Sequence, residues 1–238
     1  MRSSRSARRL SVASRSACCA RRVISIRSRP QTCSARSRGG SDRCFASTRS
    51  AANLTAAFPE KSPQEIDAIL DGVWDNLGRI AAEFAHIDHI WEHDPAHPEN
   101  SRIEIQQRTH ELFAQLRLDN KPALIFASHI GNWELPALAA VAHGLDAAVL
   151  FRRPNIESAD RAIEQLRSVN MGTLIPAGRD APLKLAQALE NGQHAAMLVD
   201  QYFTNGVDVT FFGRKTKANP LLARLRRQID CPIHGVRI

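Results

Sequence analysis

The 238-residue sequence predicts an α/β fold in which helices cover both faces of a central, mostly parallel β-sheet. From Lys121 onward, short apolar runs alternate with helical patterns of about ten or more residues, as in a sheet built from strand–helix–strand units. Two of those helical patterns end at Gly144 and at Asn191-Gly192, and glycine commonly terminates helices. The chain is also long enough to bury a substantial apolar core.

The most regular helical pattern precedes the sheet. Ser62 can cap a helix, Pro63 suits the first helical position, and Glu65 completes a capping box. Apolar residues then recur at intervals of three and four as far as Phe84. This spacing predicts a long amphipathic helix.

A histidine-rich segment follows this helix and contains His86, His89, His93 and His97. Histidines at such spacing can share a helix face and bind a metal ion. However, prolines directly after Asp94 and His97 interrupt any helix there. We therefore expect a solvated helix end and no metal site.

The elements of the predicted sheet follow in order along the chain. The predicted strands cover residues 123–127, 147–151, 173–175, 195–199, 207–212 and 232–238. The predicted helices cover residues 135–143, 156–170, 181–190 and 219–230. Because the chain ends within the last strand, we expect an unpaired sheet edge there and a sequence cut short at its C-terminus.

The positive charge of the protein is concentrated in its first quarter. The formal net charge is +8, but residues 1–59 contain 13 Arg and one acidic residue, whereas the rest contains 19 basic and 23 acidic residues. The net charge is therefore no argument for nucleic-acid binding by the whole protein. We expect no nucleic-acid partner.

Residues 1–50 consist largely of Arg, Ser, Ala and Cys and lack the apolar content that a folded core needs. Three interpretations stay open: a disordered basic tail, an organelle transit peptide, or upstream sequence misjoined to a real domain, which we favour. The segment also holds four of the five cysteines, without the spacing of a zinc site or a disulfide framework. We assign residues 51–238 as the domain itself.

Residues able to do chemistry follow the first strand of the predicted sheet, in the sequence SHIGNWE at residues 128–134. Ligands bind at the carboxyl ends of strands in such sheets. With Gly131 allowing the turn, His129 and Glu134 can converge. His129 would then act as a general base, and Glu134 would hold the imidazole and stabilise its charged form. Backbone donors at the helix N-terminus would suit an oxyanion. The alternative is an ordinary loop histidine beside a helix-terminal acid.

Two further features lie at strand ends or close to them. Asp200-Gln201 follows the fourth strand and is either an active-site pair or part of a turn. A basic cluster comprises Arg152, Arg153, Arg161 and Arg167. Such a cluster can bind phosphate, or it can be a plain solvated surface.

Taken together, these residues resemble a known family. SHIGNWE at residues 128–134 resembles the His-x4-Asp/Glu signature of the lipid A biosynthesis lauroyl/myristoyl acyltransferases. The segments RPN (153–155), DQ (200–201) and GVDVTFFG (206–213) follow in the family's order, as does the region around Arg167. AANL (51–54) and VWDNLGR (73–79) are similar to its early part. The resemblance covers about residues 51–238.

The resemblance implies a glycerolphosphate-acyltransferase-like fold and a defined reaction. A long-chain fatty acyl group would pass from an acyl carrier protein thioester to a hydroxyl of a phosphorylated glycolipid, the lipid A precursor. No cofactor is implied, and the enzyme would work on the membrane surface, at the cytoplasmic face of the cell inner membrane. His129 would be the catalytic base and Glu134 its partner, with Arg153, Arg167 and Asp200 as substrate-binding residues of the active site.

The sequence departs from the family at both ends. Members usually begin with an apolar anchor helix, whereas this chain has no run of 18 uninterrupted apolar residues. Members also continue some tens of residues beyond a strand like the last one. Two alternatives stay open: acylation of another membrane glycolipid, such as a phosphatidylinositol mannoside, or of a glycerophosphate; and an inactive remnant that binds a membrane or a partner.

Overall fold

The structure, a computed structural model, describes residues 23–28, 43–91, 97, 100–153 and 157–238. Its helices are α1 (Arg43–Ala57), α2 (Pro63–Phe84), α3 (Ile87–Ile90), α4 (Gln107–Leu118), α5 (Leu135–Ala142), α6 (Glu157–Asn170), α7 (Ala181–Glu190) and α8 (Leu221–Gln228). Its strands are β1 (Val23–Ser28), β2 (Ile103–Ile105), β3 (Leu124–Ala127), β4 (Ala147–Phe151), β5 (Thr173–Pro176), β6 (His194–Leu198), β7 (Val207–Phe211), β8 (Arg214–Ala218) and β9 (Ile233–Arg237).

The central sheet of the described residues has seven strands in the order β2-β1-β9-β3-β6-β4-β5. Six of these strands run parallel, and β2 pairs antiparallel with β1 at one edge. β3 lies between β9 and β6, so the carboxyl ends of β3 and β6 are adjacent. The predicted α/β class with a mostly parallel sheet is confirmed.

Helices cover both faces of this sheet because successive side chains of a strand point to opposite faces. In β4, Ala147 packs into a core that residues of α4 and α5 complete. The next residue, Ala148, packs into a second core that residues of α7 and α8 complete. The single sheet thus separates two apolar layers.

The predicted start of α2 is also confirmed. The backbone N–H of Glu65 donates to Ser62 Oγ at 3.3 Å, and the backbone N–H of Ser62 donates to Glu65 Oε2 at 2.9 Å. The hydrogen bond from the Ser62 backbone is the main reason that the pKa of Glu65 lies below its usual value. Ile66, Leu70 and Ile80 are buried, so one side of α2 packs against the protein, as its apolar spacing predicts.

The structure differs from two expectations about the chain ends. β9 is not an unpaired edge, because it pairs with β1 on one side and with β3 on the other. Within the segment expected to lack order, Val23–Ser28 form β1, and α1 crosses the boundary placed at residue 50. The rest of residues 1–42 lies outside the described residues, and the division into 1–50 and 51–238 stays a prediction.

Several elements were not predicted from the sequence. β8 has the sequence RKTKA, which lacks the apolar alternation of a half-buried strand. Among the described residues it pairs with β7 alone and lies outside the central sheet. The other elements that the sequence pattern did not reveal are β1, β2, α1, α3 and α4.

Candidate active site

His129 and Asp200 are brought together by the pairing of two neighbouring strands. β3 and β6 run parallel with Ala127 opposite Leu198, so the residues that follow each strand leave the sheet side by side. The backbone N–H of His129 donates to Asp200 Oδ2 at 2.9 Å, and His129 Nδ1 lies 2.8 Å from Asp200 Oδ1. One carboxylate therefore holds both the backbone and the ring of the histidine.

The ionisation of Asp200 determines which ring nitrogen of His129 can act as a base. Burial opposes ionisation of Asp200, but hydrogen bonds from His129 outweigh it and lower the pKa of this carboxyl below its usual value. An ionised carboxylate only accepts hydrogen bonds, so Nδ1 of His129 carries the proton. Nε2 lies 3.3 Å from Gln201 Nε2, an amide donor. Nε2 is then the nitrogen that carries the lone pair, and it can accept a hydrogen bond from the Gln201 amide.

The loop between β3 and α5 depends on Gly131, as the sequence predicts. Its φ is +61°, and a Cβ there would lie 3.1 Å from Ile238 Cγ2. Glycine adopts this left-handed conformation without steric cost. Beyond the turn, the ring of Trp133 lies 5.0 Å from that of His129, centroid to centroid, so the loop encloses one side of the imidazole.

Glu134 contacts a different partner from the one that the sequence predicts. Its buried carboxylate accepts two hydrogen bonds from Arg167: one from Nε at 3.2 Å and a shorter one from Nη2. The prediction that Glu134 holds the imidazole is therefore wrong, because Asp200 occupies that position. The physical reason is that Glu134 lies at the N-cap of α5, beyond the turn, where it faces the guanidinium of α6. Such a bidentate pair is among the stronger hydrogen-bonded contacts.

The C-terminal end of α2 supports this ion pair, which the sequence did not indicate. Asn132, which is 2% exposed, donates from Nδ2 to Glu83 Oε2 at 2.7 Å and accepts from the backbone N–H of Glu134 at 3.1 Å. The next residue of α2, Phe84, has its ring 5.5 Å from the Arg167 guanidinium carbon, a cation–π distance. α2 thus contacts Arg167 directly through Phe84 and contacts Glu134 indirectly, through Asn132.

Backbone donors at the N-terminus of α5 are not available for an oxyanion, contrary to expectation. The N–H of Glu134 donates to the Asn132 side chain, and that of Leu135 donates to the Asn132 carbonyl. Pro136 has no N–H, and the N–H groups of Ala137 and Leu138 are within the helix ladder. These N–H groups therefore leave a negative charge at the site to other donors, among them the side chains that line the cavity.

A cavity of about 430 Å³ opens between the carboxyl ends of the strands and the loops beyond them. Most of its lining is apolar and includes Ala127, Val149, Phe151, Met171, Leu174, Met197 and Val199. Its polar lining comprises His129, Glu134, Arg152, Arg167, Gln201 and Asn219, and Trp133 and Tyr202 also line it. The cavity thus brings the histidine and the Glu134–Arg167 pair to one apolar space.

The predicted basic cluster does not stay together. Arg167 pairs with Glu134, and Arg152 lines the cavity. Arg153 is absent from the cavity lining, and its half-exposed side chain lies 3.7 Å from Glu164. The side chain of Arg161 lies outside the described residues. Of the three arginines whose side chains the structure describes, Arg152 and Arg167 reach the site, and Arg153, predicted to bind substrate, does not.

Of the histidines considered for a metal site, His86 and His89 are exposed and His93 lies outside the described residues. Within the part of the chain that the structure describes, no three His, Cys, Asp or Glu side chains are grouped as metal ligands would be. In the same part, no helix is both long enough and apolar enough to cross a lipid bilayer.

Comparison with known proteins identifies a family that matches most of the chain. The family model for bacterial lipid A biosynthesis acyltransferases matches residues 35–238. The match includes the histidine, the ion pair and Asp200, as well as both layers of helices around the sheet. No curated protein gave a significant match to the chain.

Proposed function

Because this chain belongs to the bacterial lipid A biosynthesis acyltransferase family, we propose that it transfers a long-chain fatty acyl group from an acyl carrier protein thioester to a hydroxyl of a lipid A precursor. The lauroyl/myristoyl branch of the family is the proposed subtype. The observation that carries the mechanism is the His129–Asp200 contact of 2.8 Å at the cavity, with Nε2 beside Gln201. This arrangement provides a general base with a fixed tautomer.

In the proposed first step, the acceptor hydroxyl attacks the thioester carbonyl carbon while its proton passes to His129 Nε2. The resulting imidazolium is stabilised by the Asp200 carboxylate, in the same way that a carboxylate supports the histidine of other acyl-transfer enzymes. A tetrahedral intermediate with a negatively charged oxygen forms. General base catalysis of this kind contributes about 10²–10⁴ in rate.

In the proposed second step, the intermediate collapses and the carbon–sulfur bond breaks. The proton on His129 Nε2 passes to the departing thiolate sulfur, which leaves the histidine neutral for the next cycle. The products are the ester and the free thiol of the carrier protein. The thioester carbonyl is already reactive, so the scheme uses no cofactor.

Arg167 is the proposed donor to negative charge on the substrate. Glu134 uses two of its five N–H groups and fixes the plane of the guanidinium, while the side chain keeps 17% of its surface exposed. Arg167 can thereby contact either the oxyanion or a phosphate of the acceptor. Glu134 is the residue that orients Arg167, and Arg152 provides a second cation at the cavity.

The apolar lining supports the choice of a fatty acyl donor. Apolar side chains of β3, β4 and β6 line the cavity, among them Ala127, Phe151 and Met197, and an alkyl chain gains about 0.8 kcal/mol for each methylene that it buries. A small polar acyl group would leave this wall in contact with water. A lipid acceptor also implies work at a membrane surface, for which we propose the cytoplasmic face of the inner membrane.

A turnover assay tests this function. The purified chain is given a radiolabelled acyl carrier protein thioester with one of three acceptors: lipid A precursor, phosphatidylinositol mannoside or glycerol phosphate. We expect transfer to the lipid A precursor, and a loss of about 10²-fold or more in His129→Ala. His86→Ala, which removes an exposed histidine, is the matched control. Transfer only to another acceptor would contradict the substrate, and a fully active His129→Ala would contradict the mechanism.

A further inference from the structure

β7 and β8 form a two-stranded ribbon that pairs with no third strand in the described part of the chain. The cross-strand pairs on one face are Val207–Ala218, Val209–Thr216 and Phe211–Arg214, and those on the other are Asp208–Lys217 and Thr210–Lys215. One face is thus mainly apolar. An isolated two-stranded ribbon is only marginally stable in water, which indicates that this apolar face gains from a further partner.

Large apolar side chains of the ribbon and the adjoining loop are exposed. The exposed fractions are 66% for Phe211, 52% for Phe212, 48% for Val207, 65% for Tyr202 and 41% for Phe203. We call these five residues the ribbon patch. A hydrogen bond from Phe203 N to the Lys217 carbonyl at 3.3 Å holds the adjoining loop against β8.

Two contacts give the ribbon patch a defined position. Tyr202 and Phe203 also line the cavity that contains His129, so the patch continues to the mouth of the proposed active site. At the other end, the ring of Phe58 packs edge-on against Phe212 with centroids 5.2 Å apart. The tip is therefore supported by the residue that directly follows α1.

The charges beside the patch are complementary to an anionic surface. Residues 201–218 contain three basic side chains and one acidic side chain. Lys217 pairs with Asp208 at 3.0 Å, whereas Arg214 and Lys215 are exposed at the tip, next to Phe212. Aromatic rings flanked by Lys and Arg match the interfacial region of a bilayer, where rings lie at headgroup depth and cations contact phosphates.

We propose that the ribbon patch docks the protein onto an anionic lipid bilayer, with Phe211 and Phe212 in the interfacial region and Arg214 and Lys215 at lipid phosphates. The choice of a bilayer over an acidic protein rests on the proposed function, because a lipid acceptor must enter the cavity from a membrane. Docking through this patch places the mouth of the cavity at the membrane surface.

Vesicle sedimentation with the full chain tests the docking surface. The vesicles contain phosphatidylcholine alone or with phosphatidylglycerol. We expect binding to the anionic vesicles, which falls about 30-fold in Arg214→Gln/Lys215→Gln, at about 1 kcal/mol for each residue. The matched control is Arg108→Gln/Arg117→Gln, which removes the same charge from α4 and keeps the binding.

A second pair of variants tests the aromatic residues. Phe211→Ser/Phe212→Ser is expected to weaken binding at least about tenfold, whereas Leu183→Ser, which removes an exposed side chain from α7, has no effect. Because loss of Phe212 removes its contact with Phe58, a further variant keeps the ribbon apolar. Phe211→Trp adds an indole whose fluorescence brominated lipids should quench, beyond any quenching of the native tryptophans in the unaltered chain.

Several results would overturn the docking surface. The first is that the ribbon variants bind vesicles as well as the unaltered chain does, and the second is that Phe211→Trp shows no extra quenching. The third is that the chain forms a dimer that the serine variants dissociate, which would make the patch a dimer interface. The proposed function fails separately. The ribbon variants should still transfer the acyl group to a detergent-dispersed acceptor. His129→Ala should lose acyl transfer and still bind the anionic vesicles.

Discussion

The position of Asp200 shows which part of the site the sequence could indicate. Both His129 and Asp200 directly follow predicted strands or lie within two residues of one, and both lie at the site. Their direct contact depends on β6 being the neighbour of β3, although two other strands separate them in the sequence. Strand order is a tertiary property, so spacing within one loop favoured the wrong partner, Glu134.

The first residue-scale prediction concerns this pair. In Asp200→Asn the negative charge that supports the imidazolium is lost, and the proton is no longer held on Nδ1. We expect kcat to fall about 10²–10⁴-fold. Because the two residues act as a unit, the double variant His129→Ala/Asp200→Asn should be scarcely slower than His129→Ala. Steady-state kinetics of the three variants measures this.

The control for that prediction is Asp75→Asn, which removes an exposed aspartate that is bonded to Arg79 at 2.7 Å, in α2. It should leave kcat unchanged. Fully additive losses in the His129 and Asp200 variants would contradict the pairing, as would an active Asp200→Asn.

The second residue-scale prediction concerns the contact between Asn132 and Glu83. Asn132→Asp replaces the Nδ2 donor by an oxygen and places two carboxyl groups together, which should displace Glu134 and lower kcat about tenfold. Adding Glu83→Gln restores the hydrogen bond in the opposite direction, because the amide at position 83 now donates to the carboxylate at position 132. The acceptor for the Glu134 N–H remains, so the double variant should recover most of the activity.

The measurement separates positioning from folding. kcat, KM and the thermal midpoint are determined for both single variants and the double variant. A fall in kcat at an unchanged midpoint, restored in the double variant, is the expected result. If Asn132→Asp and the double variant lose activity equally, Glu83 does not position the ion pair through Asn132.

At the scale of the elements, the sequence predicts those features that depend on residues close together in the chain. The capping box of α2, the strands β3 to β7 and the glycine turn after β3 follow from residues close in sequence. β8 and β2 were missed because a charged strand in an exposed ribbon and a three-residue edge strand carry little periodicity. α4 was missed although its buried Leu112, Phe113 and Leu116 lie on one side.

The element-scale prediction compares two glycines that follow helices. Gly172 after α6 and Gly192 after α7 have φ of +75° and +87°. A Cβ at Gly172 would lie 2.7 Å from the Ala147 carbonyl oxygen, whereas nothing lies within 4 Å of one at Gly192. Gly192→Ala should cost about 1–2 kcal/mol from its left-handed backbone alone, and Gly172→Ala should cost more.

Urea unfolding of the two variants tests this comparison. The helix-ending role of Gly192 is readable from the sequence, but the close approach of β4 to Gly172 is not. Equal free energies of unfolding for Gly172→Ala and Gly192→Ala would show that the turn after α6 can move away from β4.

At the scale of the whole molecule, the sheet order explains why the site could be predicted only in part. Alternation of strands and helices indicates a parallel sheet with two covered faces, and the structure has both. It does not indicate that β9, the last strand, lies in the interior between β1 and β3. Strands buried on both faces have similar apolar sequences whether they lie at the centre or at the edge of a sheet. The order of the strands, and with it the contacts between the loops at their carboxyl ends, could therefore not be predicted from the sequence.

The stability of the whole molecule should depend on pH through His194, at the start of β6. This residue is 5% exposed, and its Nδ1 has no hydrogen-bond partner among the described residues. Burial lowers the pKa of His194 below the usual 6.5, although Asp119 and Asp146 oppose this. Below pH 6.5 the unfolded chain binds a proton that the folded chain excludes, so the free energy of unfolding should fall as the pH drops toward the folded pKa.

Urea unfolding between about pH 7.5 and about pH 5 measures the slope of the free energy of unfolding against pH. His194→Gln should flatten it, His86→Gln should not, and an unchanged slope in His194→Gln would exclude this histidine as the cause.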